Sequence, residues 1–161
     1  MTFHQAAQKC PLPVCNAILP GKKALEARHR QQVNCREPER LTSSINLDQT
    51  LQQVPNHRNS NRWDYGVGYK PEQGPERAVW IEVHPASTSE VGAVLRKLDW
   101  LKRWLESEAR ALQQITITDR QLKAYHWLAT ETGVHIRPGT PQDRRLRAAG
   151  LDSPRRKILL P

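Results

Sequence analysis

Two short stretches, RWDYGVGY (62–69) and RAVWIEVHP (77–85), each set one carboxylate among strand-like apolar residues: Asp64 in the first and Glu82 in the second. Tyr65, Val67 and Tyr69 alternate with Asp64, Gly66 and Gly68, and Val79, Ile81 and Val83 alternate with Ala78, Trp80, Glu82 and His84. This is the period of β-strands. The intervening KPEQGPE (70–76) has two prolines and a glycine and reads as a hairpin loop. A symmetric loop centred on Gln73 puts Tyr69 opposite Arg77, Gly66 opposite Trp80 and Asp64 opposite Glu82. A one-residue slip would send Glu82 to the other face. Opposed residues of an antiparallel pair have Cβ atoms about 5 Å apart, so two like charges there repel. Such a pair needs a divalent metal, a shared proton, or a basic side chain, Arg62 and Arg77 being at hand. Gly66 and Gly68 beside the acids leave room for a ligand backbone. The set Tyr65, Val67, Tyr69, Val79, Ile81 and Val83 is expected to fill the opposite face and meet a long helix.

That helix is the clearest element in the chain, STSEVGAVLRKLDWLKRWLESEARALQQ (87–114). Ser87, Thr88 or Ser89 can cap it, and Glu90 suits the positive end of its dipole. Val91, Val94, Leu95, Leu98, Leu101, Leu105, Ala109 and Leu112 form its apolar stripe, with Trp100 and Trp104 at the flank as a candidate second contact surface. Lys102 falls within the stripe and Lys97 at its edge; such a lysine either snorkels outward or meets the acids. Further on, 115–118, 122–130 and 133–139 read as short strands, and 140–151 as a helix with Thr140 as cap, Pro141 in the first turn and Gly150 at its end. Upstream, 22–32 reads as a short basic helix, and 37–54 roughly fits a helical period interrupted by Thr-Ser-Ser. The expected organisation is a poorly ordered extension with one or two short helices (1–60), an α/β core with a central mixed sheet (61–151) and a basic tail (152–161).

The chain has 161 residues, enough for one domain with a real core, and a net charge of +9. Such a balance suits nucleic acid or another acidic partner. Arg144, Arg145 and Arg147 in one cluster and Arg155, Arg156 and Lys157 in another are the candidate phosphate contacts. No apolar run approaches the ~20 residues of a membrane span. The first residues lack a charged segment followed by an apolar one, which points to the cytoplasm. The three cysteines, Cys10, Cys15 and Cys35, form neither a disulfide framework nor a zinc-ligand frame. Phosphate loops and nucleophile elbows are absent from the sequence.

A hairpin with an acid on its first strand, then Glu82-Val83-His84 at the end of its second strand, then a helix and further strands resembles the PD-(D/E)XK nuclease superfamily over about residues 64–130. The resemblance implies a restriction-endonuclease-like domain in which Asp64 and Glu82 hold Mg²⁺ or Mn²⁺ with the backbone carbonyl between Glu82 and His84. Where that family has lysine, this chain has His84, and Trp63 rather than proline precedes the first acid. Either His84 serves as the base, or the lysine has moved to the following helix as Lys102 or Lys97, or the member is degenerate. The resemblance also implies an upstream helical glutamate, Glu37 or Glu39. The function expected is metal-dependent hydrolysis of phosphodiester bonds, of DNA more than RNA. The alternatives are a non-catalytic nucleic-acid-binding module and a protein-interaction component, and a homodimer is left open.

Overall fold

The computed structural model describes residues 1–161, the side chains of Glu131 and Thr132 excepted. Helix α1 (Phe3–Ala7) leads to β1 (Leu19–Pro20), α2 (Ala27–Arg30), β2 (Val33–Cys35), β3 (Leu41–Asn46) and α3 (Leu47–Leu51). The hairpin β4 (Tyr65–Tyr69) and β5 (Arg77–Ala86) follows, then α4 (Val91–Ser107), α5 (Arg110–Gln114), β6 (Tyr125–Val134), α6 (Pro141–Ala148) and β7 (Ile158–Leu160). Five strands form one mixed sheet in the order β1-β3-β4-β5-β6; β2 and β7 form a second, parallel pair. The β3–β4 and β4–β5 pairs are antiparallel, and β5–β6 is parallel, with α4 and α5 in the crossover. Among the described residues no helix is long and apolar enough to cross a membrane.

The hairpin has the register expected of a symmetric loop: Tyr69 opposite Arg77, Gly68 opposite Ala78, Gly66 opposite Trp80 and Tyr65 opposite Ile81. The packing of its two faces is the reverse of the expectation. Tyr65, Val67, Tyr69, Val79 and Ile81 cluster with Val33, Cys35, Ile158 and Leu160 of the small sheet. Helix α4 instead covers the face of Ala78 and Trp80, the face on which Glu82 also lies. Both faces are thus buried. The tryptophans are the reason: Trp80 meets Trp104 edge-on at 6.2 Å, and Trp104 stacks on Trp100 at 6.1 Å. They are core rather than a second contact surface, Trp100 being 7% exposed and closed over by the His57 ring at 5.7 Å. Nor do the glycines leave room for a ligand. A Cβ at Gly66 would come within 2.6 Å of the Trp80 ring, and one at Gly68 within 2.5 Å of Thr42 Oγ1.

The outer segments also differ from the expectation. Residues 1–60 supply β1 and β3 to the sheet and the buried Phe3 to the core. Residues 41–46 are a strand buried on both faces, Leu41 packing on one side and Ile45 on the other across a bulge between Leu41 and Ser43; the helix begins only at Leu47, where the Asn46 side chain accepts from the Gln49 N–H. The expected helix over 87–114 is broken at Glu108 and Ala109, separating α4 from α5. The 115–118 segment forms no strand, since Ile115 caps α5, and of the strand expected at 133–139 only residues 133 and 134 are strand, as the end of β6. The tail is basic and then structured: Ile158 and Leu160 are buried where β7 pairs with β2.

Candidate functional site

Glu82 is fully buried on β5, the central-to-edge strand between β4 and β6. Asp64 lies one residue before β4, where the register Tyr65–Ile81 continues to Glu82. The two acids brace each other through the backbone rather than facing off in empty space. The Asp64 N–H donates to Glu82 Oε2 at 3.2 Å, and the Val83 N–H donates to Asp64 Oδ2 at 2.8 Å. Asp64 Oδ2 is therefore anchored, with Asp64 on the wall of a cavity.

The counter-charge comes from α4. Lys97 Nζ donates to Glu82 Oε1 in a close ion pair. Burial alone would lower the Lys97 ammonium, but Glu82 and then Asp64 outweigh it and hold its pKa above the ordinary value. Arg62 and Arg77 are occupied elsewhere, Arg62 with Asp48 at 2.9 Å and Arg77 with Asp119 at 2.5 Å. His84 sits between two acids, with Nε2 at 2.7 Å from Glu90 and Nδ1 at 3.6 Å from Glu82. Its pKa is raised, first by Glu82, against burial, with Glu90 adding to the rise. Asp64 moves the opposite way for an acid: burial, then the charge of Glu82, push its carboxyl up to about 7, with Lys97 only partly offsetting them.

Of the residues singled out in the sequence, the structure brings together Asp64, Glu82, His84 and Lys97 and leaves Lys102 apart. Lys102 Nζ donates to the Ala149 carbonyl at 2.7 Å, capping the C-terminal end of α6, and lies over the Tyr125 ring. The buried face of α4 includes Trp100 and Trp104, which widens the stripe toward Lys97 and puts Lys102 outside it. Glu37 binds Arg40 at 2.7 Å; the upstream acids at the cavity are Glu26 before α2 and Asp48 on α3. Arg144, Arg145, Arg147, Arg155, Arg156 and Lys157 are exposed and none lines the cavity, while Arg147 pairs with Asp143 and Arg155 with Asp152.

The cavity beside Asp64 has a volume of about 800 Å³. One wall is the α2 segment with Arg28, His29 and Gln32; the other is α3 and its cap, with Asn46, Gln49 and Gln52. Sequence reasoning missed these residues. The signal was the asymmetry of LDQTLQQ, where Leu47 and Leu51 turn inward and Gln49 and Gln52 remain on the other side.

The donor set suits a hard divalent cation. Lys97 binds Glu82, and the adjacent Asp64 carboxyl, pushed up to about 7 first by burial and then by the Glu82 charge, would be relieved by a cation. Among the described residues no three His, Cys, Asp or Glu side chains form a metal cage. Two carboxylates with water completing the shell are the usual protein share of a Mg²⁺ site. No family model matches this sequence, and neither a curated protein nor a solved structure matches the chain.

Proposed function

We propose that this protein is a metal-dependent nuclease acting on DNA phosphodiester bonds, on a restriction-endonuclease-like arrangement of hairpin, helix and parallel strand. The observation that carries the reading is the joining of Lys97 from α4 to Glu82 on β5, beside Asp64 on the wall of the cavity. Asp64 and Glu82 would hold Mg²⁺ or Mn²⁺. That ion, when bound, supplies Lewis acidity toward a phosphoryl oxygen and lowers the pKa of water. Lys97 stays protonated and fixes the Glu82 carboxylate. It takes the lysine's part that the resemblance had left open among His84, Lys97 and Lys102. His84, held by Glu82 and Glu90, is a positioning residue rather than a free base. The exposed cations Arg144, Arg145, Arg147, Arg155, Arg156 and Lys157 attract the polyanion at longer range.

One observation favours a second reading, a degenerate member that binds without cutting: Lys97 already neutralises Glu82, and Asp64 can keep its proton. Cleavage of plasmid and oligonucleotide DNA with Mg²⁺ or Mn²⁺, wild type beside Glu82→Gln, separates the two. The nuclease reading expects cleavage that chelation abolishes and that the variant loses by about a thousandfold, the scale of removing a group that stabilises transition-state charge. Binding of the same substrates with no metal-dependent cleavage by the wild type would reject it in favour of the second.

A further inference from the structure

The cavity walls say what kind of strand the site would take. Its charges are largely cancelled in pairs: Arg28 binds Glu26 at 2.9 Å, and Asp48 binds Arg62 at 2.9 Å. A duplex backbone is gripped by several cations aimed at successive phosphates, and this cavity presents no such row. It presents amides. Gln49 Oε1 accepts from Asn46 Nδ2 at 3.3 Å, which turns the Gln49 amide and leaves its N–H donors to spare. Gln52 and Gln32, on opposite walls, have side chains with no hydrogen-bond partner among the described residues.

Carboxamides, carrying donor and acceptor together, can pair with the edge of a base. A cavity of about 800 Å³ takes a nucleotide-sized group and is too small for a duplex. Resting on the nuclease reading above, we infer that the substrate is single-stranded or locally unpaired nucleic acid, with one base between Gln32 and the Gln49–Gln52 wall and its phosphate at Asp64. Amide contacts then set selectivity, and few phosphates are neutralised in the cavity.

The test uses the full chain in Ca²⁺ and a fluorescein-labelled single-stranded DNA tetranucleotide, read by anisotropy. Unlabelled competitors are the same tetranucleotide, its abasic counterpart and a blunt 12-base-pair duplex. A ribo-tetranucleotide shows whether either sugar is accepted. The expected results are an abasic competitor at least tenfold weaker and a duplex that competes poorly. Gln49→Ala with Gln52→Ala should weaken binding about tenfold or more. The salt dependence should be shallow, a log–log slope no steeper than about −1.5, as for one or two phosphates on a single strand. Gln32→Ala on the other wall gives the same readout should the double variant melt early. Equal binding of abasic and intact strands, or no effect of any of the three glutamines, overturns the inference. If Glu82→Gln removes cleavage while the glutamines are indifferent, this inference fails and the nuclease reading stands. Glutamine-dependent binding without metal-dependent cleavage overturns the nuclease reading alone.

Discussion

Asp64→Asn should make the metal-free protein more stable, by a margin that grows from about pH 4 and is complete above about pH 7. Asparagine keeps the shape and keeps an oxygen to accept the Val83 N–H, which Asp64 receives at 2.8 Å. It removes a charge that burial and Glu82 resist. The Asp64 carboxyl moves from an ordinary 3.8 to about 7 on folding. Between those values the folded state binds a proton that the unfolded state has released, so stability falls as pH rises through the window. Above about pH 7 the full penalty is present, with a ceiling of about 4 kcal/mol at 1.36 kcal/mol per pH unit. Relaxation and water at the cavity reduce it, and about 2 kcal/mol is the expected gain. In a chain of this size that raises Tm by roughly 4–8 °C. Thermal and urea unfolding in chelator at pH 8 and pH 5 measure it. The variant should exceed wild type at pH 8, by less at pH 5 where about a third of the window has been crossed, and match it only near pH 3.8. Millimolar Mg²⁺ should stabilise wild type and not the variant, because a ligand of the native state adds RT ln(1 + [L]/Kd). A variant less stable than wild type at pH 8, or a difference unchanged between pH 5 and pH 8, refutes the account of the acid pair.

Lys97→Met leaves Glu82 buried without its ammonium and should cost about 3–5 kcal/mol in urea unfolding at pH 8; adding Glu82→Gln should restore more than half of that, and an additive double variant would show that the two side chains do not interact. Gly66→Ala drives a methyl to 2.6 Å from the Trp80 ring and should cost about 1–3 kcal/mol with a changed near-ultraviolet spectrum, whereas an unchanged Tm would mean that the Trp80–Trp104 packing yields freely. Removing residues 158–161 exposes the face behind β4 and β5 and deletes the buried Ile158 and Leu160, at about 2–5 kcal/mol for each such side chain lost; a truncated chain that melts with the full one would restore the reading of 152–161 as a mere tail.

The sequence carried the hairpin, its register and the long helix because each depends on local pattern. Alternation, a loop with a Gly and two Pro, and a 3.6-residue stripe are short-range signals. What it did not carry depends on which elements cover which face. Tyr65, Val67, Val79 and Ile81 look like a face awaiting a helix, yet they are covered by β2 and β7, whose pairing joins Val33–Cys35 to Ile158–Leu160. No local pattern announces a pairing across that separation. The error over the N-terminal third has the same root, since three-residue strands and a five-residue helix are too short for a period to show. Their order comes from tertiary contact.

The choice between Lys97 and Lys102 follows from that same question of faces. If α4 packs with its aliphatic stripe alone, Lys102 lies in the buried arc and Lys97 at its margin. If Trp100 and Trp104 are core, the arc turns and Lys97 comes to the acids. The aromatic content of one helix face thus decides which lysine meets Glu82. The Gly66 that admits the Trp80 ring decides whether those tryptophans have something to pack on. A chain of contacts from Gly66 through Trp80 and Trp104 sets the rotation of α4 about its axis, and that rotation delivers Lys97. It follows that the core and the site are not separable here: a larger residue at position 66 should loosen the Lys97–Glu82 pair as well as the fold, although Gly66 touches neither.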